Sequence, residues 1–265
     1  MDIKNKNIAI VGSTGILGTE YVNFLSSKGA NVIIGDIDFK KCEVYANEMK
    51  AKFKTDPLAL YIDLYDEKSI EFYFKDLISY YGKLDVLINN SQVKPEGFYN
   101  SFEDYSKETL MKVIEGNTVG MALSCREASK IFLKQGYGNI INVSSIYGIT
   151  GADQRIYDGV KNIYNPDEKL SSPISYAISK AGILNMTKYL ASYYREKGIR
   201  INCLTPGGVL DNHDKVFIEN YSYRTLLGRM ANRDEFNGSI LFLVSDASSY
   251  MTGANIVVDG GWSAI

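Results

Sequence analysis

The most constraining feature of the sequence is a regular alternation of short apolar runs with longer amphipathic stretches. Six amphipathic stretches have helical periodicity, at about residues 17–28, 38–50, 66–80, 103–134, 175–197 and 233–245. The apolar runs are predicted to be strands: Ile8–Val11, Val32–Gly35, Leu58–Ile62, Val86–Ile88, Asn139–Val143, Ile201–Leu204 and Asn255–Val258. Strands that are apolar on both faces and separated by helices form parallel sheets through crossover connections. The alternation therefore predicts an α/β fold of the Rossmann type, a doubly wound parallel sheet of about seven strands with helices on both faces.

Composition narrows the class of protein and its partners. No linker or low-complexity stretch interrupts the alternation, so residues 1–265 are predicted to form a single domain. The net charge of -2 and the lack of a long basic run argue against nucleic acid or an anionic membrane as partner. No signal peptide or bilayer-spanning run is evident, and Cys42, Cys125 and Cys203 are too far apart for a zinc site or a disulfide framework. These features predict a cytoplasmic protein that acts on a small molecule and has no metal site.

A glycine-rich turn joins the first predicted strand to the first predicted helix. It reads Gly12-Ser13-Thr14-Gly15-Ile16-Leu17-Gly18. Glycines let the backbone approach a pyrophosphate closely, and the amides of a helix N-terminus attract it. A tight turn without a ligand is the alternative, but the position between strand and helix favours a dinucleotide. The predicted cofactor contacts in this turn are Gly12, Thr14, Gly15, Ile16, Leu17 and Gly18.

Asp36 ends the second predicted strand and favours NAD over NADP as the cofactor. A carboxylate at this point accepts hydrogen bonds from ribose hydroxyls and repels a 2′-phosphate, and no Arg or Lys follows it directly. Its alternative role is a cap on the following helix. Asp63 and Leu64 follow the third strand and Asn90 follows the fourth. These three are predicted to line the adenine and ribose side, although each could be a plain turn residue.

Tyr176 and Lys180 form the candidate catalytic pair. Their spacing at the start of a helix puts both side chains on one face. A phenol titrates near ~10, and an adjacent ammonium favours the phenolate, which suits proton exchange. Such pairs also occur by chance on solvated helices, so the surrounding sequence has to distinguish a catalytic pair from a chance one. Ser144 and Ser145 end the fifth strand, at the edge where doubly wound sheets bind ligands, and Asn117 interrupts a helical pattern. A rigid turn follows the sixth strand at the same edge: Thr205-Pro206-Gly207-Gly208-Val209.

In order and spacing together, these residues resemble the short-chain dehydrogenase/reductase family over nearly the whole chain. The ending Met251-Thr252-Gly253-Ala254 with Val258-Asp259-Gly260-Gly261 fits the same pattern. The resemblance implies that Tyr176 is the general acid/base and that Lys180 holds the nicotinamide ribose and tunes the tyrosine. It implies that Ser145, rather than Ser144, polarises the substrate oxygen and that Asn117 anchors a proton-relay water. The cofactor contacts implied on this side are Tyr176, Lys180, Pro206, Gly207 and Val209.

Several positions depart from the family pattern. Gly12, Gly15 and Gly18 are spaced as in the family's extended members, which include nucleotide-sugar epimerases. Ser91-Gln92 replaces the usual Ala-Gly pair. Asp211 stands where the family has a threonine whose hydroxyl contacts the nicotinamide amide, and Asn212 is the candidate to make that contact instead. An inserted loop at about 147–173 separates Ser145 from Tyr176 and is expected to be either a wall of the substrate site or a surface segment. The polar and aromatic residues considered for the substrate there are Asp153, Arg155, Tyr157, Asp158, Lys161, Asn162, Tyr164 and Asn165.

The resulting hypothesis is an NAD(H)-dependent oxidoreductase that transfers a hydride between the nicotinamide and a carbonyl or alcohol of a polar, sugar-like substrate. The inserted loop resembles those of oxidoreductases in bacterial surface-sugar and flagellin-modification pathways. The alternatives are a nucleotide-sugar epimerase or dehydratase with retained NAD, and a non-catalytic NAD-binding protein. The family resemblance implies a homo-oligomer, a tetramer or a dimer. His213, the only histidine, is interpreted as a solvated loop residue.

Overall fold

A sheet of seven parallel strands forms the centre of the protein, whose computed structural model describes residues 1–265. The strand order is β3-β2-β1-β4-β5-β6-β7. The strands are β1 (Asn7–Val11), β2 (Asn31–Asp36), β3 (Leu58–Tyr61), β4 (Val86–Asn89), β5 (Gly138–Val143), β6 (Ile199–Pro206) and β7 (Asn255–Val258). The helices are α1 (Ile16–Ser27), α2 (Phe39–Phe53), α3 (Glu67–Tyr81), α4 (Lys107–Ile114), α5 (Gly120–Gln135), α6 (Ile174–Tyr193), α7 (Lys215–Arg224) and α8 (Asn237–Val244). The predicted doubly wound Rossmann sheet is confirmed, with its topological switch point between β1 and β4.

Two apolar cores lie on opposite faces of the sheet. Along β1, Ile8 and Ile10 point into one core, whereas Ala9 and Val11 point into the other. Helices α1, α2 and α8 cover the first core, and α3 and α5 cover the second. Because both faces are covered, a ligand reaches the sheet at the carboxyl ends of its strands. None of the helices combines the length and apolar character needed to cross a bilayer.

The stretch predicted as one helix over 103–134 is divided in the structure. Its first helix begins at Lys107, after Ser106 caps it by accepting a hydrogen bond from the Thr109 amide at 3.0 Å. A π-helical turn, Glu115–Val119, then separates α4 from α5. A π turn holds one more residue than an α turn and frequently marks a functional site. The sequence signal of this break is the Gly116-Asn117 pair.

Helix α7 was not predicted from the sequence. Asp214 caps it by accepting a hydrogen bond from the Val216 amide at 2.8 Å, but Tyr221 is its one buried residue. A helix with so little buried surface lacks the apolar periodicity on which sequence-based prediction depends.

The connection from α6 to β6 begins earlier than predicted and is longer, because it covers residues 194–198 rather than 198–200. Helix α6 ends at Tyr193, not near residue 197, and β6 begins at Ile199. Glu196 and Gly198 have left-handed backbone, with φ of 62° and 72°, and form the turn between them.

Candidate active site

A cavity of about 560 Å³ lies at the carboxyl edge of the sheet. The chain segments that follow β1, β2, β3, β4, β5 and β6 all contribute to its lining, together with α6 and α7. Most of the residues predicted from the sequence line this carboxyl-edge cavity: Gly12, Thr14, Gly15, Ile16, Leu17, Asp36, Asp63, Leu64, Asn90, Ser145, Tyr176, Lys180, Pro206, Gly207 and Val209. Gly18 and Asn117 are the two predicted site residues that do not line it.

The three glycines of the first turn have different structural roles. Gly12 has φ +83°, and a Cβ there would lie 2.6 Å from the Cα of Ser91. A Cβ on Gly18 would lie 2.7 Å from the carbonyl carbon of Ser13, so this glycine permits α1 to pack on the turn. Gly15 faces open space, because a Cβ there would have the Gly12 carbonyl oxygen, 4.0 Å away, as its nearest neighbour. No side chain caps α1 at Gly15, so the first amides of the helix are free to bind an anion.

Asp36 lies at the end of β2, beside the glycine turn. Its Oδ2 accepts a hydrogen bond from the Thr14 amide at 3.0 Å, and its Oδ1 accepts one from the Asp38 amide at 3.3 Å. Asp38, not Asp36, caps α2 by accepting a hydrogen bond from the Lys41 amide at 3.2 Å. The structure thus assigns the alternative capping role to a different residue and leaves Asp36 in the cavity wall.

Asp63 and Asn90 line the cavity and also stabilise local backbone. Asp63 accepts a hydrogen bond from the Tyr65 amide at 2.9 Å. The Asn90 Nδ2 donates to the Gly12 carbonyl at 2.9 Å and so joins the end of β4 to the glycine turn. The sequence left two alternatives for these residues, a plain turn residue or a residue of the cofactor site. Both residues stabilise a turn and also line the cavity.

Ser145, Tyr176 and Lys180 come together where β5 meets α6. Tyr176 and Lys180 are one helical turn apart, and both line the cavity with Ser145. Burial raises the pKa of Tyr176 to about 12, although a hydrogen bond with Ser145 lowers it in part. Burial outweighs this hydrogen bond, and the lowering of the pKa by Lys180 stays a prediction. Tyr176 is therefore a protonated phenol near neutral pH, and its hydroxyl can donate a proton.

Lys180 is a buried ammonium without a carboxylate partner. Its side chain is 3% exposed, and its Nζ donates to the Val143 carbonyl at 3.1 Å. Burial lowers its pKa to about 8. An ammonium has three N–H donors, and two of these are not used by the protein. The Nζ lies 5.8 Å from the ring centroid of Tyr176, so these donors are next to the phenol.

Ser144 and Ser145 differ in their contacts. The Ser144 Oγ is buried and donates to the Lys180 carbonyl at 2.8 Å, which fixes β5 to α6. Ser145 lines the cavity, its Oγ accepts a hydrogen bond from the Tyr147 amide at 3.3 Å, and its hydroxyl lies within hydrogen-bond reach of the Tyr176 phenol. The geometry is that expected when Ser145 is the serine that faces a substrate.

Asn117 is fully buried in the π-helical turn. Its Oδ1 accepts a hydrogen bond from the Val93 amide at 2.8 Å, and its Nδ2 donates to the Ser179 Oγ at 3.2 Å. The side chain thus ties the segment after β4 to helix α6 and does not reach the cavity. Its function as anchor of a relay water stays a prediction.

Four aromatic side chains, of which the sequence identified only Tyr157, line one end of the cavity. Tyr147 packs edge-to-face on Tyr176, with ring centroids 6.2 Å apart, and Tyr221 stacks on the buried Trp262 at 4.5 Å. Tyr157 and Phe217 pack together at 5.4 Å. We call Tyr147, Tyr157, Phe217 and Tyr221 the aromatic wall. Its residues come from the 147–173 segment and from α7. These segments are distant in the sequence, and no shared periodicity predicts that they meet.

The polar side chains of the 147–173 segment do not line the cavity. Asp153 binds Arg155 at 2.7 Å and approaches Arg224 at 3.5 Å. The Asn162 Oδ1 accepts hydrogen bonds from the amides of residues 164 and 165, each at 3.0 Å. Tyr164 stacks on Tyr99 with centroids 3.9 Å apart. Tyr147 and Tyr157 are the cavity-lining residues of this segment, so its contribution to the site is aromatic.

The structure also locates Asp211, Asn212 and Gln92, which belong to the departures from the family pattern, and the single histidine. Asp211 forms an ion pair with Arg233 at 2.5 Å, and neither it nor Asn212 lines the cavity. Gln92 and His213 do line it.

A parallel sheet with a dinucleotide-type first turn and a Ser–Tyr–Lys group at its carboxyl edge places the protein in the class of Rossmann-type oxidoreductases.

Comparison with known proteins identifies the family. The short chain dehydrogenase family model matches residues 6–161, and the family model for enoyl-(acyl carrier protein) reductase matches residues 168–263. Post-translational flagellin modification protein A of Campylobacter coli is 29% identical over 98% of this chain and 99% of its own length. The 7alpha-hydroxysteroid dehydrogenase of Bacteroides fragilis is 31% identical over 97% of this chain and 94% of its own length. A short chain dehydrogenase from Leptospira borgpetersenii, crystallised with bound NAD+, is 34% identical and superposes with a TM-score of 0.84, covering 99% of this chain and 94% of that one. The chain belongs to the short-chain dehydrogenase/reductase family, and it is an oxidoreductase.

Proposed function

We propose that the protein is an NAD(H)-dependent dehydrogenase or reductase that transfers a hydride between the nicotinamide and a carbonyl or alcohol. One observation carries the proposal: Ser145, Tyr176 and Lys180 line the same cavity as the glycine turn. A non-catalytic NAD-binding protein would need the turn but not the three side chains. Their convergence beside a dinucleotide site supports chemistry at that place.

The residues of the cavity fit a dinucleotide. The uncapped N-terminus of α1 and the open space at Gly15 suit a pyrophosphate, and the unused donors of Lys180 suit ribose hydroxyls. Asp36 supports NAD over NADP, because the glycine turn and Ile37 bring no cation beside it that would attract a 2′-phosphate. The Leptospira relative has NAD+ in its crystal structure. When bound, the nicotinamide supplies or accepts the hydride.

We assign the proton chemistry to Tyr176. In the direction of reduction, its phenol donates a proton to the carbonyl oxygen as that oxygen gains charge, and Ser145 donates a second hydrogen bond to the same atom. In the reverse direction the tyrosine oxygen takes the proton of the alcohol. Lys180 stabilises the phenolate that remains after donation, because its ammonium is adjacent and unpaired. Asn117 holds α6 against the segment after β4 and so keeps Tyr176 in position.

We propose a polar ring compound of sugar-like size as the substrate, with the 147–173 segment as one wall of its site. Tyr147 and Tyr157 support this proposal, because flat aromatic faces pack well against rings. Gln92 and His213 supply polar groups at the same cavity. The similarity to a flagellin modification protein fits the resemblance seen in the sequence. The three unpaired cysteines suit the reducing cytoplasm.

The test is NADH turnover by the wild type and by Tyr176→Phe. The substitution removes the proton donor and keeps the ring that packs on Tyr147. We expect kcat to fall by about 10²–10⁴-fold with NADH affinity nearly unchanged. Absorbance of NADH during incubation with a panel of ketones, sugars and polyols measures the first quantity, and fluorescence titration measures the second. A variant that kept more than about a tenth of the wild-type kcat would exclude Tyr176 as the acid/base.

A further inference from the structure

The charged side chains of the carboxyl-edge cavity are unevenly distributed. Its two carboxylates are Asp36, which ends β2, and Asp63, which follows β3, and both already accept hydrogen bonds from backbone amides. Lys94 follows β4 and His213 follows β6, and both line the other part of the cavity, where the aromatic wall lies. That part contains no carboxylate. Its electrostatic character is therefore cationic.

Lys94 is a cation without an acidic partner. Its Nζ forms no ion pair and lies 5.8 Å from the ring centroid of Tyr99. Tyr99 in turn stacks on Tyr164 of the 147–173 segment, which fixes the platform under the lysine side chain. The ammonium is solvent-accessible at the edge of the cavity, so a charged ligand group can replace part of its water.

His213 presents a second donor near Lys94. Its Nδ1 accepts a hydrogen bond from the Asp211 amide at 3.2 Å, so in the neutral ring the proton is on Nε2. The ring stacks on Phe217 of the aromatic wall at 5.2 Å, which fixes its plane. Partial burial lowers the pKa of His213, and the positive charge of Lys94 contributes to the same shift. Asp211 opposes this shift in part, although its carboxylate is already paired with Arg233.

We propose that the substrate carries an anionic group, a carboxylate or a phosphate, which Lys94 and the His213 Nε2 bind while the aromatic wall covers its ring. This inference rests on the proposed function and adds the substrate class. Oxygen anions match both donors, because an ammonium and an N–H can bind two oxygens of one group. A neutral substrate would leave Lys94 with no partner at the mouth of the site.

Matched pairs of compounds test the proposal. One pair is 4-hydroxycyclohexanecarboxylate with its carboxamide, and the other is a hexose 6-phosphate with the free hexose. Binding to the protein–NADH or protein–NAD+ complex is measured by calorimetry, and turnover by NADH absorbance. We expect the anionic member of at least one pair to bind about ten- to hundredfold more tightly, as a charged hydrogen bond does. The two pairs separate a carboxylate from a phosphate.

Variants assign the preference to the two residues. Lys94→Gln should remove most of the preference for the anion, and Lys94→Glu should reverse it. His213→Leu should weaken anion binding further, whereas His213→Gln, which keeps an N–H donor, should restore part of it. Lys161→Gln is the matched control, because Lys161 is exposed on the 147–173 segment outside the cavity.

Three results would overturn the proposal. The first is equal binding of the charged and neutral members in both pairs, including weak or undetectable binding of all four compounds. The second is an anion preference that survives in Lys94→Gln. The third is a loss of NADH affinity in Lys94→Gln with the anion preference intact, which would assign the lysine to the cofactor. Tight anion binding without hydride transfer to or from any compound would instead refute the oxidoreductase proposal and leave the anion site standing.

Discussion

Replacing Lys180 with methionine should stabilise the folded protein while it abolishes turnover. Lys180 is 3% exposed and has one protein hydrogen bond, from its Nζ to the Val143 carbonyl. Burial lowers its pKa from 10.5 to about 8. Since a pKa difference of one corresponds to about 1.36 kcal/mol, burial disfavours the ammonium by roughly 3 kcal/mol. Methionine has a similar length and no charge, so it avoids this cost and loses only the hydrogen bond, about 1 kcal/mol.

The expected gain in the free energy of unfolding is therefore roughly 2 kcal/mol at pH 7. The gain should depend on pH in a defined way. The folded protein releases the Lys180 proton near pH 8, whereas the unfolded chain holds it to about pH 10.5. Between these values the unfolded state binds more protons, so wild-type stability rises with pH relative to the variant. By about pH 9.5 the wild type should have regained roughly 2 kcal/mol, and the two proteins should be equally stable.

Urea unfolding without cofactor, at several pH values from about 7 to 9.5, measures this difference. Lys188→Met on the same helix is the control, because Lys188 is exposed and should change stability by less than about 0.5 kcal/mol at every pH. A Lys180→Met protein that is less stable than the wild type at pH 7 would refute the reasoning. So would a stability difference that does not change with pH.

Two further predictions concern the cofactor and the assembly. Asp36→Ala should weaken NADH binding by about five- to tenfold and narrow the difference between NADH and NADPH, because a hydrogen-bond acceptor and a repulsive charge both disappear. Fluorescence titration measures both affinities, and a wild type that binds NADPH more tightly would contradict the role of Asp36. The protein should be a homo-oligomer, a tetramer or a dimer, since Met111, Val119, Ile178, Tyr189 and Tyr193 expose apolar surface on the α4–α6 region. Light scattering at micromolar concentration measures the mass, and a monomer would contradict this prediction.

The part of the cavity near the glycine turn could be predicted because the backbone builds it. Gly18 is required because a Cβ would overlap the turn itself, and Gly12 because its φ is +83° and a Cβ would overlap Ser91, so a dinucleotide-type turn has a recognisable glycine pattern. Asp36 and Asn90 are at strand ends, and apolar runs mark the ends of strands. The Tyr176–Lys180 spacing is likewise a local property of one helix. Each of these signals lies within a single element or its first turn.

The aromatic wall could not be predicted in this way, because it depends on contacts between distant segments. Tyr147 and Tyr157 meet Phe217 and Tyr221 only after α7 folds over the cavity, and α7 itself has no apolar periodicity. Composition was also misleading for the 147–173 segment. Its Asp and Asn residues suggested contacts with a polyhydroxylated substrate, but such residues commonly cap turns, and Asp153 and Asn162 do so here.

The location of the polar groups changes how substrate recognition is explained. If the side chains of the 147–173 segment held the substrate, specificity would depend on many neutral hydrogen bonds to hydroxyl groups. Because those side chains stabilise their own segment, the groups left for recognition are a flat aromatic surface, the Gln92 amide, one free ammonium and one imidazole. An aromatic surface selects for ring shape but discriminates weakly among polar substituents. In the proposed binding mode Lys94 and His213 supply the discriminating interaction, and both are hydrogen-bond donors. A substrate that exploits them needs acceptor oxygens at a fixed distance from its reacting carbon, and a carboxylate or phosphate provides those at the highest charge density.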